Sequence, residues 1–153
     1  MDEARRDFEA AVADGFASLP RDVNWIAALA SAVEACVLLE DVERARELQV
    51  LLEPYSARIS VTARGASHGG SVAYYAARAA ALGGDHAAAD RLFAEAARRD
   101  REAEAPVFVV RDLSRHGEFL ERLGETGRAR GLLRAAAERA TSLGLPARLG
   151  DGR

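Results

Sequence analysis

The chain has 153 residues and a formal net charge of −3, the size of one domain and without the basic balance of a general nucleic-acid binder. Apolar residues make up 49% and charged residues 29%, which excludes wholesale disorder. Alanine supplies 34 residues, all 21 basic residues are arginine, and aromatics are 6%. Ala and Arg favour helix and little is left to build a sheet, so the expected class is all-α.

Taken in chain order, the first helix is predicted over 2–17, where Ala4, Phe8 and Ala11 share one face between charged residues. Pro20 and Asp22 precede a second helix at 23–39, with Asp22 as its expected cap. Its stripe is Leu29, Ala32, Val33 and Cys36. Cys36 is the only cysteine, so no intrachain disulfide or thiolate cage forms, and the residue reads as a small hydrophobe. The apolar stretch 26–39 is interrupted by Glu34 and is too short to span a bilayer, and the N-terminus has no apolar signal core. A cytoplasmic location without membrane attachment is therefore expected.

An acidic turn at Glu40-Asp41 leads into a helix at 42–53 carrying Ala45, Gln49 and Leu52, closed by Pro54. The link 54–68 is the longest between helices. Within it Ile59, Val61 and Ala63 alternate with Ser60, Thr62 and Arg64, the period of a short extended stretch. GASHGGS, 65–71, has the glycine spacing of a phosphate loop, but Ser71 stands where that motif needs lysine, so nucleotide binding is not expected. Ser67 is the expected cap of the helix at 69–82, with Arg58 or Arg64 placed to hold an anion beside it. That helix has the stripe Ala73, Ala76, Ala77 and Ala80 and ends at Gly83-Gly84. Helices at 86–101, 107–123 and 126–143 follow, with stripes Ala89, Phe93, Ala96; Leu113, His116, Gly117, Leu120; and Ala129, Leu133, Ala136. Pro106 and Gly124 punctuate them, and 144–153 reads as a frayed tail beyond a single domain at 1–143.

The anchoring alanines 4, 45, 89 and 129 recur at intervals of 41, 44 and 40. A period of this length is the mark of a stacked repeat, here a helix hairpin whose small residues let two helices approach closely. Three hairpins follow a leading half-repeat.

The order small residue, aromatic four later, small residue three later, as in Ala89, Phe93 and Ala96, resembles the second helix of the tetratricopeptide repeat. The run 16–55, with LPRDVNWIAALA and ERARELQVLLEPY, and then ARGASHGGSVAYYAARAAALGG, is similar to the C-terminal repeat regions of large actinobacterial ATPase regulators of the LuxR and adenylate-cyclase types. The resemblance implies a right-handed α-solenoid of about seven helices in which first helices of successive hairpins line a concave groove. It places Ala27, Ala30, Glu34 and Leu38, then Ser71, Tyr74, Arg78 and Leu82, then Arg111, Ser114, Glu118 and Arg122 on that groove. Gln49 departs from the expected aromatic, and nothing here supplies the ATPase of the larger proteins.

The expected function is a non-catalytic, regulatory interaction module holding an acidic peptide or partner helix. Its expected binding residues are Glu34, Arg64, Ser71, Tyr74, Arg78, Arg111, Ser114, Glu118 and Arg122. A second reading is a small-molecule sensor closed by 54–75. An enzymatic or biosynthetic-accessory role is a third, and self-association into a homodimer through the terminal helices a fourth. No catalytic, cofactor or metal residues are assigned. His68 and His86 fall at opposite ends of a helix hairpin about 20 Å long, and His116 lies on a packing stripe.

Overall fold

The structure is a computed structural model and describes residues 6, 8–10, 12, 13, 15, 16, 19–62 and 67–146. The chain folds as an all-α protein with one small β-hairpin. Its elements are α1 (Trp25–Leu39), α2 (Val42–Leu52), a 3-10 turn (Glu53–Tyr55), β1 (Ile59–Thr62), β2 (Ser67–Ser71), α3 (Val72–Gly83), α4 (His86–Glu102), α5 (Pro106–Arg122) and α6 (Thr126–Ser142). No helix among the described residues is long and apolar enough to cross a membrane.

Local chemistry sets the helix ends. Asp41 accepts a hydrogen bond from Arg44 N at 3.1 Å at the head of α2, and Asp85 one from Ala88 N at 3.1 Å at the head of α4. The turns between paired helices repeat one geometry. Asp41 N donates to Cys36 O, Asp85 N to Ala80 O and Glu125 N to Leu120 O, each at 2.9 Å. The residue before each donor is left-handed, Glu40 at φ 54, Gly84 at φ 88 and Gly124 at φ 79. Four residues on, Ala45, Ala89 and Ala129 are all buried, at 1%, 0% and 1% exposure. The recurring alanines thus occupy equivalent surroundings.

Three expectations are corrected. The first helix, expected to reach 17, has turned by Val12, because Gly15 enters the left-handed region at φ 76; Ala4 and Ala11 lie outside the described residues. Asp22 accepts from Asn24 N at 2.8 Å, inside the turn preceding α1 and not at its cap. The helix expected at 69 begins at Val72, because 67–71 pairs with β1, and Ser71, not Ser67, is its cap, accepting from Ala73 N at 3.2 Å. The hairpin register carries a bulge between Ser60 and Val61.

Packing joins neighbours: α1 meets α2 and α3, α2 meets α3, and α3–α4, α4–α5 and α5–α6 follow in turn. Ala73, Ala76, Ala77, Ala79 and Ala80 of α3 are all fully buried. Methyl groups let helix axes approach toward the short end of the usual 8–10 Å. One core runs from Val12 and Phe16 to Ala129, and a smaller cluster joins Ala97, Val109, Leu113 and Ala136. On α5, Gly117 has no room for a side chain, since a Cβ there would stand 2.7 Å from Leu133 Cγ and 3.3 Å from Ala129 O. On α6, Gly131 faces open space. Gly131→Ala should therefore raise stability by about 0.5–1 kcal/mol through helix propensity, while Gly117→Val should lower it by about 1–3 kcal/mol through overpacking. Equilibrium denaturant unfolding of the two variants checks the opposite signs.

Candidate functional site

A groove of about 850 Å³ opens along α1, α3 and α5. Glu34 and Leu38 from α1, Arg78 and Leu82 from α3, and Glu118 and Arg122 from α5 line it. These are the C-terminal halves of the three stripes expected there. Val37, Glu40, Val42, Ala81, His86, Phe93, Arg115, Phe119 and Leu123 complete the lining and were not assigned to the groove from the sequence. The floor is apolar. Leu38 is 76% exposed, and Val42 and Leu123 are each 39% exposed.

Most of the groove's charge is already neutralised. Arg78 Nη1 lies 2.5 Å from Glu34 Oε2 and donates to Tyr74 Oη at 3.1 Å. Arg115 Nη1 lies 2.8 Å from Glu118 Oε2. Arg122, exposed at the end of α5, has no ion-pair partner among the described residues.

The N-terminal halves of the stripes lie elsewhere. Ala27 and Ala30 are buried. Ser71 is fully buried as the α3 cap, and its N–H donates to Asp100 Oδ2 at 3.0 Å. Tyr74 is 3% exposed, its ring covered by the Arg111 guanidinium at 3.6 Å and edge-on to Tyr75 and Phe93. Ser114 is half-buried on α5 and outside the groove lining. Arg64 falls outside the described residues.

Arg111 was expected to face a partner and instead turns beneath the β-hairpin. It donates to Gly69 O at 3.0 Å and, through Nε and Nη2, to Asp112 Oδ1 at 3.1 and 2.9 Å. Its Nη2 stands 3.5 Å from Asp100 Oδ2. The hairpin seats closely on it, since a Cβ at Gly70, where φ is 82, would fall 2.5 Å from Arg111 Nη2. Asp100 and Asp112 are both fully buried. Burial, with Asp100 alongside and against the pull of Arg111, pushes the Asp112 carboxyl up to about 8. The signal for this pair was present in the sequence: Asp100 continues the stripe Ala89, Phe93, Ala96, and Asp112 lies three residues after Val109 and four before His116.

A second buried polar group is His116, whose ring stacks on Phe93 at 5.5 Å and whose Nε2 lies 2.6 Å from Asp90 Oδ1. Burial tends to raise the Asp90 carboxyl, but hydrogen bonds from Arg128 and His116 outweigh it and hold the group low. An ionised carboxylate only accepts, so the neutral imidazole donates its Nε2–H. Burial also holds His116 below its ordinary value of 6.5, with the Asp90 bond opposing. Cys36, fully buried, is pushed up to about 12 by burial first and Asp41 second, which leaves it a thiol. Among the described residues no group of three His, Cys, Asp or Glu side chains could hold a metal ion.

Comparison of the chain with protein-family models, with curated proteins and with solved structures finds no match.

Two outcomes follow from this geometry. Arg111→Ala should cost about 3–5 kcal/mol near neutrality, because it strips the cation from two buried carboxyls. The loss should shrink as acid protonates whichever carboxyl is still ionised, which unfolding at several pH values would register. Because the folded chain holds His116 neutral while the unfolded chain takes up a proton near 6.5, its contribution is complete above that value and is lost as pH falls through it. His116→Gln should flatten this limb of the stability profile.

Proposed function

We propose that this protein is a non-catalytic interaction module of tetratricopeptide-like helix hairpins, regulatory in role, and that it holds an amphipathic helix of a partner protein in the groove along α1, α3 and α5. The repeated turn at 40–41, 84–85 and 124–125 supports the repeat reading, with its three equal closing bonds and three buried alanines.

The observation that carries the functional reading is the pairing of open aliphatic surface with one uncompensated cation. Leu38, Val42 and Leu123 are exposed on the same groove that Arg122 borders. Burying a leucine of this kind under a partner contributes about 1.5–3 kcal/mol, the larger share of the affinity. An exposed arginine pairing with a carboxylate contributes about 1 kcal/mol or less, and mainly sets register and partner choice. Arg78 and Arg115 are matched within the chain by Glu34 and Glu118, so an acidic residue set at Arg122 on an otherwise apolar helix face fits the lining.

The test begins with the partner captured by the wild-type chain, identified, and titrated as a peptide by calorimetry. Leu38→Asp should weaken binding by about 10–100-fold and Arg122→Glu by about threefold to tenfold. Val50→Asp, on the α2 surface away from the groove where Val50 is 72% exposed, should leave it unchanged. Unchanged affinity for Leu38→Asp, or an equal loss for Val50→Asp, removes the groove from the account.

A further inference from the structure

Asp100 and Asp112 occupy places where neighbouring repeats put small or aliphatic residues. Aligning the closing bonds Ala105 N to Asp100 O and Leu145 N to Ala140 O sets Asp100 opposite Ala140. Aligning Glu125 N to Leu120 O with Asp85 N to Ala80 O sets Asp112 opposite Val72. Two acids have therefore entered the interior at the junction of α4, α5 and the β-hairpin.

Their surroundings do not balance two negative charges. Among the described residues Arg111 is the one cation touching both carboxyls. From α3 the facing groups are Tyr75, whose hydroxyl donates to Gly69 O at 2.8 Å, and Tyr74, whose hydroxyl is turned toward Arg78. Arg78 is itself paired with Glu34 of α1, which adds a further negative field at Tyr75. From β2 come the Ser71 N–H and the Gly69 carbonyl, and from β1 the buried Ser60 hydroxyl near Gly69. With both acids ionised, the buried cluster would keep one uncompensated charge, which a dry interior resists strongly.

The hydrogen bonds leave the same deficit. Asp100 Oδ2 accepts from Ser71 N, and Asp112 Oδ1 accepts twice from Arg111. Asp100 Oδ1 and Asp112 Oδ2 are fully buried without a donor among the described residues, and the two carboxyls are brought side by side by Arg111 Nη2, which stands 3.5 Å from Asp100 Oδ2 and 2.9 Å from Asp112 Oδ1. A single proton placed between them would cancel the surplus charge and turn two orphaned acceptors into one hydrogen bond.

We propose that Asp100 and Asp112 share one proton, and that this acid pair with Arg111 is a proton-dependent latch fastening the β1–β2 hairpin to the α4–α5 hairpin. The proton is placed on Asp112, whose Oδ2 has no donor, because Asp100 already accepts the Ser71 backbone N–H. When the proton leaves to solvent base, two like charges face each other directly below Ser71 and Gly69, and the hairpin loosens. Asp112 held up to about 8 and a free aspartate at 3.8 fix the sign. Between those values the folded chain keeps a proton that the unfolded chain has released, so the latch's contribution declines as pH rises and is gone above the upper one.

Carbon-13 labelling of the aspartate side-chain carboxyls, followed by NMR from acid to about pH 9, reads the proton directly. One carboxyl of the pair should remain protonated at neutral pH and titrate only in the alkaline range. Protection of the Ser71 amide against exchange should then drop by about tenfold over the same range. Asp112→Asn keeps an oxygen for Arg111 and offers an N–H to Asp100, so Ser71 protection in it should not change with pH. If both carboxyls of the wild type titrate at ordinary aspartate values, the shared proton is disproved, whether or not the variant folds. If the proton is present but Ser71 protection follows the same pH profile in wild type and Asp112→Asn, the latch is disproved.

Discussion

Helix meets helix in this protein mainly through methyl groups, and the rest of the architecture follows from how little space that leaves. Ala73, Ala76, Ala77, Ala79 and Ala80 of α3 are fully buried, with α1 and α2 packed on one side and α4 on the other. Ala89, Ala96 and Ala129 continue the arrangement along the chain. Contact of this kind contributes less hydrophobic free energy per residue than leucine would, and it offsets this with many close dispersion contacts over long helix faces. Bulky residues collect at a few places. Phe93 is the chief one, touching Tyr74, His116 and Phe119 from the helices before and after its own.

Most polar side chains caught in this interior find a partner from the chain. Arg46 reaches Gly83 O at 2.9 Å, tying α2 to the end of α3. His116 is satisfied by Asp90, which Arg128 of α6 also holds. Arg111 joins four elements at once, with bonds to β2 and the α4 and α5 carboxyls and its flat face on the α3 tyrosine. The groove is the complementary place, where α1, α3 and α5 part toward their C-terminal ends. Aliphatic residues remain open to solvent there, and charged residues pair along its walls.

The helices were legible because their ends are written in short-range chemistry. Acidic caps, left-handed glycines and Pro106 act within four residues of where they stand, and the structure begins and ends the last five helices within three residues of the expected places. The β-hairpin was half legible. Alternation at 59–64 announced β1, but β2 is SHGGS, which has no strand pattern. Its glycines answer to Arg111 and Ser60, far away in sequence. The candidate site divided in the same way. Glu34, Arg78, Glu118 and Arg122 came together on the groove, whereas Ser71, Tyr74 and Arg111 did not, because the hairpin and α4 cover the N-terminal ends of those helices.

Composition and periodicity determined that this chain would be all-α with small residues buried along its helix faces, since propensity, spacing and turn chemistry act through near neighbours. Which arginine stays in solvent and which is drawn inside was decided only when the elements packed. Arg111 and Arg122 stand on the same helix, and nothing local distinguishes their faces. The difference comes from a bulged strand and an acid from another helix closing over the first, while the second extends past the last covering element.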